Sequence, residues 1–243
     1  MSVESIDPAS PSPAVACEDL HHSYPTQDGR GNEVLAGVTM AVARGSLALV
    51  RGPSGVGKTT LLNLLATIDS PDRGHILLHG HDVAQMSAEQ VALLRRRQIG
   101  VVYQDWALIH RFSVWENVAV ALVPDGVPAR ERRERAAHAL EALRMAHKID
   151  EKPSRLSGGE QQRVAVARAI VHSPSIVIAD EPTSQVDADT AELILARFKA
   201  LSSSGIAVVV ASHSRDWNHV ADVTWRMHAG RLLLEPHRDS APC

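Results

Sequence analysis

The sequence predicts an α/β fold, with a core built on a parallel sheet, an antiparallel β subdomain and a helical subdomain. Residues 156–210 alternate helical stretches with short apolar runs, as a parallel sheet with helical crossovers requires. Residues 18–49 show the alternation and the turns of antiparallel strands, which continue at residues 75–78. Residues 86 to about 148 follow a mainly helical pattern, with a break at residues 124–128.

Length and composition indicate one domain. The chain has 243 residues, of which 44% are hydrophobic, and a single α/β core of this size is sufficient to account for them. We place this domain at residues 17–236. Residues 1–16 are acidic and rich in Ser and Pro, which predicts a disordered tail rather than a signal peptide. Residues 237–243 are a C-terminal tail.

A glycine-rich loop follows the apolar run at residues 47–50, which predicts a strand. The loop consists of Gly52, Pro53, Ser54, Gly55, Val56, Gly57, Lys58 and Thr59, and it fits the phosphate-loop pattern. Glycines let the backbone turn its N–H groups toward a polyphosphate, and the helix continuing through Thr60 offers its positive dipole end. Lys58 is predicted to reach the β and γ phosphates, and Thr59 to place its hydroxyl on Mg²⁺. The chain is therefore predicted to bind a nucleoside triphosphate.

A second motif, at residues 156–161, has a serine and two glycines at the start of a predicted helix. Ser157 is a natural N-cap, and Gly158 and Gly159 with the helix dipole make a second anion site. One ATP molecule cannot lie on two separated phosphate sites within a compact domain, whereas two copies facing head to tail would use both. Taken alone, the motif is better explained as an ordinary helix cap. Its position between the phosphate loop and an acidic motif favours the nucleotide site.

Two carboxylates end the β-branched run at residues 175–179, which predicts a central parallel strand. Ligands bind at the carboxyl ends of such strands. Asp180 is predicted to hold Mg²⁺ through water, and Glu181 to accept a proton from the attacking water or to orient it. The alternative is a solvated acidic pair, which would have to fall at the end of a buried strand by accident.

Together these motifs resemble the Walker A, signature and Walker B elements of an ATP-binding cassette (ABC) ATPase, a P-loop NTPase. The resemblance covers roughly residues 17–236. It also implies that Glu160 belongs to the nucleotide-binding residues of the signature motif. Matched by position, it implies four further site residues: Tyr24 to stack on adenine, Gln104 to sense the γ-phosphate and Mg²⁺, Asp187 in the loop joining two subunits, and His213 as the switch histidine. Glu181, Gln104 and His213 are then the catalytic residues, and ATP with Mg²⁺ is the implied ligand.

Within that superfamily the chain resembles the small ATPase subunits of the lipoprotein-releasing and macrolide-export branch, on the basis of residues 52–55, 69–74, 99–104, 116–118 and 156–165. This implies a head-to-tail dimer, on the cytoplasmic face of the plasma membrane, that powers a separate polytopic permease. Two departures concern subunit coupling and partner identity: residues 184–186 before Asp187 lack the usual Ala and Leu, and Asp105-Trp106 follows Gln104.

Two other functions stay open at this point. A soluble ABC ATPase without a transport partner usually carries two cassettes, or a coiled coil that splits one, whereas this chain has one uninterrupted cassette. A regulatory ATPase that signals through a membrane partner without moving solute has the same sequence pattern as a transporter.

Charge and composition limit the other partners. The formal net charge is −3, without a basic stripe, so no nucleic acid is expected. No apolar stretch approaches the roughly 18 residues that span a bilayer. Cys17 and Cys243 are the only cysteines and lie near opposite ends, which excludes a disulfide framework and favours the cytoplasm. The histidine pairs at residues 21–22 and 79–81 are predicted to lie in turns without further metal ligands.

Residues 105–115 hold two of the four tryptophans and one of the two phenylalanines in a chain that is 3% aromatic. Exposed aromatic side chains beside Gln104 would suit a docking groove for a membrane partner. The alternative is that these rings fill the core of the helical subdomain.

Overall fold

The computed structural model describes residues 12–25 and 31–236, which form two sheets flanked by helices. In chain order the strands are β1 (Val15–Tyr24), β2 (Asn32–Val42), β3 (Leu47–Arg51), β4 (Arg73–Leu78), β5 (His81–Asp82), β6 (Ile99–Val102), β7 (Ile176–Asp180), β8 (Ala207–Ala211), β9 (Val223–His228) and β10 (Arg231–Glu235). The helices are α1 (Lys58–Leu65), α2 (Ala88–Gln98), α3 (Val114–Ala119), α4 (Ala129–Glu141), α5 (Gly158–Ile170) and α6 (Ala188–Ser203).

The central sheet has six strands in the order β10-β9-β3-β8-β7-β6. Five of them run parallel, and β10 pairs antiparallel with β9 at one edge. Every residue of β7 and β8 is buried, because both faces of the sheet are covered. The carboxyl ends of β3, β6, β7 and β8 meet at one edge, so the segments that follow these strands come together there.

The four-stranded sheet is antiparallel, in the order β2-β1-β4-β5. It packs together with α1 against one face of the central sheet. Leu35 of β2, Leu61 of α1 and Val50 of β3 are all fully buried in this layer. This packing fixes α1, and with it the loop before α1, against the end of β3.

The opposite face of the central sheet packs against the helical subdomain and α6, since successive strand residues point to opposite faces. Phe198 of α6 and Trp217 meet edge to face, with ring centroids 5.4 Å apart. The Trp217 indole N–H donates to the Thr183 hydroxyl at 3.0 Å. The core thereby anchors the loop that follows β7.

Residues 86–148 are mainly helical, as the sequence predicts, but they also contain β6, which the sequence did not predict. β6 pairs parallel with β7 at the edge of the central sheet. Four residues are too few to show a strand period, and the neighbouring helical pattern covers them. Gly100 lets β6 lie close to α5, because a Cβ there would be 2.0 Å from the Ala169 carbonyl oxygen.

Other boundaries also differ from the sequence prediction. β1 begins at Val15, inside the predicted tail, and residues 14–16 are buried. Residues 1–11 and 237–243 lie outside the described residues. The range predicted as antiparallel extends into β3, which is parallel to its neighbours. Residues 21–22 lie in β1 rather than in a turn. Across residues 12–25 and 31–236, no helix combines the length and the apolar character needed to cross a bilayer.

Candidate active site

The loop between β3 and α1 has the backbone that a phosphate-binding loop needs. Gly55 and Gly57 have φ of 76° and 107°, which L side chains rarely adopt. Gly52 lies so close to its surroundings that a Cβ would be 2.7 Å from the Met227 carbonyl oxygen. Gly57 is the N-cap of α1. The first N–H groups of α1 have no partner within the helix and are available to an anion.

Lys58 extends back across this loop. Its ammonium group donates to the carbonyl oxygens of Gly52 at 2.8 Å and Pro53 at 3.1 Å, and it lies 3.6 Å from Glu181 Oε1. The side chain is 8% exposed. A buried ammonium group at the centre of a glycine-rich loop, facing a carboxylate, is suited to bind a phosphate oxygen.

The next residue, Thr59, connects the loop to the end of β7. Its hydroxyl donates to Asp180 Oδ2 at 2.5 Å. Burial raises the pKa of the Asp180 carboxyl above its ordinary value, although the hydrogen bond from Thr59 opposes this rise. A hydroxyl and a buried carboxylate in contact are hard oxygen ligands of the kind that Mg²⁺ prefers.

Glu181 lies at the end of β7 in a left-handed conformation, with φ of 45°. Its backbone N–H donates to the Ala211 carbonyl oxygen at 2.8 Å. Glu181 Oε2 accepts from the Ser212 hydroxyl at 3.1 Å and from the His213 N–H at 3.3 Å, and it lies 3.0 Å from His213 Nδ1. A left-handed glutamate costs about 1–3 kcal/mol and persists only where the surroundings hold it. The end of β8 thus fixes this carboxylate toward the loop.

A cavity of about 370 Å³ joins these groups. Its lining consists of Tyr24, Val34, Ser54, Gly55, Gly57, Lys58, Thr59, Thr60, Gln104, Asp180, Glu181, Ser184 and His213. Tyr24 is 41% exposed, its ring meets that of His22 edge to face at 4.9 Å, and its hydroxyl lies 3.3 Å from Thr60 Oγ1. The predicted catalytic and metal-binding residues therefore share one cavity with the phosphate loop.

The second glycine motif lies apart from this cavity, at the start of α5. Ser157 and Glu160 form a capping box: the Glu160 N–H donates to the Ser157 hydroxyl at 3.3 Å, and the Ser157 N–H donates to Glu160 Oε2 at 2.9 Å. None of the residues 157–160 is among the described residues that line the cavity. Within the described part of the chain, the cavity and the second glycine motif are therefore built from different residues.

Asp187 is the N-cap of α6 and accepts from the Thr190 N–H at 2.9 Å and the Thr190 hydroxyl at 3.0 Å. It borders the second glycine motif, since a Cβ on Gly159 would lie 3.1 Å from Asp187 Oδ2. The structure thus brings Asp187 to the glycine motif of its own chain rather than to the cavity.

Two contributing residues were absent from the sequence prediction. Ser212 donates to Glu181, and its position beside His213 was the only available signal. Lys148 donates to Glu160 Oε1 at 2.5 Å from a 3₁₀ turn before α5. No local pattern marks Lys148, because the contact depends on how the turn packs beside the helix.

The capping box should make stability depend on pH in the acid range. Burial alone would raise the pKa of Glu160, but hydrogen bonds from Lys148 and Ser157 outweigh it, and the net pKa lies below the ordinary value. Ionised Glu160 therefore stabilises the fold above its unfolded pKa of about 4.3, and this stabilisation is lost as pH falls through the lower folded pKa.

We expect Glu160→Gln to melt below the unmodified protein at pH 7, with the difference shrinking as the pH is lowered below about 4. Thermal melts across pH 3–7 measure this. Glu192→Gln, which removes an exposed charge from α6, is the control. A melting difference that stays constant with pH would contradict the assigned role of the Glu160 charge.

The fold and the site are similar to known proteins. The family model described as ABC transporter matches residues 35–184. The chain is 37% identical over 243 residues to the macrolide export ATP-binding/permease protein MacB of Brucella melitensis, a match covering 94% of this chain and 37% of that protein. It is 36% identical over 206 residues to the lipoprotein-releasing system ATP-binding protein LolD of Aquifex aeolicus, covering 85% of this chain and 92% of that protein. The chain thus spans little more than a third of the length of the MacB relative.

Among solved structures, the ABC transporter cassette MJ0796 in a dimeric form aligns with a TM-score of 0.87 at 30% identity, covering 92% of this chain and 99% of that chain. A second MJ0796 structure with the same score and coverage is described as a dimeric post-hydrolysis state bound to ADP and Pi. These likenesses confirm the predicted α/β fold class.

Proposed function

The chain belongs to the ABC transporter family, and on this basis we propose that it is the ATP-binding and ATP-hydrolysing subunit of an ABC transporter that powers a separate membrane permease. One observation carries the proposal: the phosphate loop, Gln104, Asp180, Glu181 and His213 line a single cavity at the carboxyl edge of the central sheet. The relatives MacB and LolD agree with the predicted branch of the superfamily.

The residues present fit ATP together with Mg²⁺. Lys58 and the N–H groups at the start of α1 bind the phosphates, and Tyr24 stacks on the base. Thr59, Gln104 and, through water, Asp180 would hold Mg²⁺, which would neutralise charge on the phosphates. The hydrogen bond between Thr59 and Asp180 keeps the two oxygen ligands together in the free protein.

Hydrolysis requires the carboxylate of Glu181 near the attacking water, as a proton acceptor or an orienting group. Ser212 and His213 hold that carboxylate, so it is oriented before the nucleotide binds. Most of the rate enhancement then comes from positioning and from positive charge near the phosphates, supplied by Lys58 and the helix dipole of α1.

Two copies are needed to complete each site. Ser54 and His213, which line the cavity, are exposed, and Ser157 and Gly159 are not among its lining residues. In a head-to-tail dimer, the signature motif of each copy covers the nucleotide of the other, with Asp187 at the junction. ATP closes this dimer, and hydrolysis reopens it.

The cycle drives a polytopic permease from the cytoplasmic face of the plasma membrane, for export or for transmission of force. The direct test is phosphate release from ATP by the purified chain, with and without the membrane protein that co-purifies with it. Absence of ATP hydrolysis under both conditions would overturn the proposal. Hydrolysis that never depends on a membrane partner would favour an ATPase acting without a permease.

The aromatic side chains of residues 105–115 do not all fit the same one of the two interpretations made from the sequence, partner docking and core filling. Trp115 packs against the helical core, with the Arg133 guanidinium 5.4 Å from its ring centroid. Trp106 lies against the signature motif. Phe112 is partly buried, and among the described residues it packs in neither of the two hydrophobic cores on the faces of the central sheet. Phe112 is therefore the aromatic residue of this segment that best fits a partner contact.

We expect Phe112→Ala to weaken partner-stimulated ATPase activity and co-sedimentation with membranes, while thermal stability and ATP binding stay nearly unchanged. Trp115→Ala is the matched control: it should lower stability, toward the roughly 3–5 kcal/mol that loss of a fully buried aromatic ring costs. A large melting loss for Phe112→Ala with normal recruitment of the folded fraction would mean that Phe112 fills the core instead.

A further inference from the structure

Arg168 of α5 makes an unusual contact with the segment after Gln104. Its guanidinium group donates to the carbonyl oxygen of Ala107 at 2.5 Å and to that of Trp106 at 2.6 Å. The side chain is partly buried, and burial lowers the pKa of the guanidinium below its ordinary value. Among the described residues, the hydrogen bonds of its guanidinium group are those to these two carbonyl oxygens. Arginine stays charged in proteins, so these two carbonyl groups are its main partners.

The two carbonyl groups belong to a strained turn. Trp106 and Ala107 have φ of 55° and 48°, so two consecutive non-glycine residues are left-handed. Such residues persist only where the surroundings hold them. The planar fork of a guanidinium can bond two neighbouring acceptors at fixed geometry, which a lysine ammonium cannot reproduce. Arg168 is therefore placed to hold this turn.

The turn also touches the signature motif. A Cβ on Gly158 would lie 3.3 Å and 3.4 Å from two carbon atoms of the Trp106 ring. Gly158 begins α5, and Arg168 lies ten residues further along the same helix. Trp106 thus contacts α5 in two places: its ring lies against the start of the helix, and Arg168 near the end of the helix donates to its carbonyl oxygen and to that of Ala107.

Under the proposed function, the turn and α5 together link the nucleotide of one copy to the nucleotide of the other. Gln104 lies two residues before Trp106 and lines the cavity of its own copy. The signature motif at the start of α5 serves the nucleotide of the partner copy. A rigid connection between the turn and α5 makes a shift at one ATP reach the other.

We propose that Arg168 is a positioning residue that fixes the turn after Gln104 to the signature helix, so that the two ATP sites of the dimer respond together. The coupling of the two ATP sites rests on the proposed function. The contact between Arg168 and the turn does not. The turn should be held by Arg168 in the isolated chain without nucleotide.

The experiment compares Arg168→Met, Arg168→Lys and Arg132→Met. Arg132 also donates to a backbone carbonyl, that of Val127 at 3.1 Å, and is the matched control for loss of such a bond. The first measurement is amide hydrogen exchange without ATP. Arg168→Met should speed exchange in peptides covering residues 103–108 but not in β7, and Arg132→Met should leave residues 103–108 unchanged.

The second measurement is ATP hydrolysis as a function of ATP concentration. Arg168→Met should lower kcat by about tenfold or more, since small misplacements of catalytic groups have effects of this order. The KM should stay within about twofold, and the Hill coefficient should fall toward 1. Arg168→Lys keeps the positive charge but not the planar guanidinium that can bond two acceptors. It should therefore show smaller changes than Arg168→Met in both hydrogen exchange and ATP hydrolysis.

Unchanged exchange at residues 103–108 in Arg168→Met and Arg168→Lys would overturn the proposal, whatever the ATPase result. Faster exchange with unchanged kcat and Hill coefficient would overturn the coupling of the two sites. A third outcome would also overturn the proposal. If exchange is faster throughout the chain in Arg168→Met, and unchanged at residues 103–108 in Arg168→Lys, then Arg168 has a general structural role. If the unmodified protein does not hydrolyse ATP, the proposed function fails while the exchange result stands.

Discussion

Glu181→Gln should convert the protein into a stable ATP-bound dimer that hydrolyses ATP at least about 10²-fold more slowly, the usual scale for loss of a general base. The glutamine keeps the shape of the side chain and can still accept from Ser212. It cannot accept a proton from water. Its neutral amide also removes the negative charge that lies 3.6 Å from Lys58 Nζ and that would compete with phosphate for the ammonium group.

Size-exclusion chromatography with Mg²⁺ and ATP measures the dimer, and phosphate release measures hydrolysis. Lys58→Ala is the control, because removal of the ammonium group should abolish ATP binding and give neither dimer nor hydrolysis. Wild-type hydrolysis by Glu181→Gln would remove Glu181 from the catalytic role. Dimer formation without nucleotide would show that the closure does not depend on ATP.

The parts of the site that the sequence predicts are those contained in short local motifs. The phosphate loop is contiguous with β3 and α1, so its glycines and Lys58 identify the loop, the strand and the helix together. The acidic pair follows from the apolar run of β7 in the same way. Tyr24, Gln104 and His213 have no such local signature, and only the resemblance to a family pointed to them. The structure brings all three into the cavity, while their roles stay predictions.

The parts that the sequence does not predict depend on contacts between distant segments. Arg168 bonds carbonyl groups 61 and 62 residues earlier in the chain, and nothing near Arg168 or Trp106 indicates the pairing. β6 was missed because its four residues acquire a strand conformation by pairing with β7, not by their own pattern. Its placement matters for function, since Gln104 follows the end of β6 and thereby lies at the carboxyl edge with the other site residues.

In the proposed dimer, ATP binding and ATP hydrolysis depend on different parts of the chain. Lys58 and the predicted metal ligands Thr59, Gln104 and Asp180 line the cavity, whereas the signature residues lie at the start of α5. Under the proposed function, an isolated copy binds ATP through its own cavity and lacks the signature contacts. This separation leads to the second large effect expected for the protein.

Ser157→Arg should abolish ATP hydrolysis, by about 10²-fold or more, while the isolated monomer keeps its affinity for ATP. Ser157 lies at the N-cap of α5, outside the described lining of the cavity, so a long cationic side chain there leaves the phosphate loop of the same chain unchanged. In the closed dimer the arginine would stand at the nucleotide of the partner copy, where its bulk blocks the approach of the signature motif. Loss of the preorganised donors at that position removes transition-state stabilisation of this order.

The substitution also removes a helix cap, which alone costs about 1 kcal/mol. Ser87→Arg controls for this, since Ser87 forms another capping box, with Gln90 at the start of α2, and is exposed. It should lose similar stability yet keep its ATPase activity. Equilibrium binding of ATP to dilute monomer, together with phosphate release at high protein concentration, measures both properties. A loss of monomer affinity that matches the loss of activity would place the signature motif at the nucleotide of its own chain, and the shared site between two copies would be wrong.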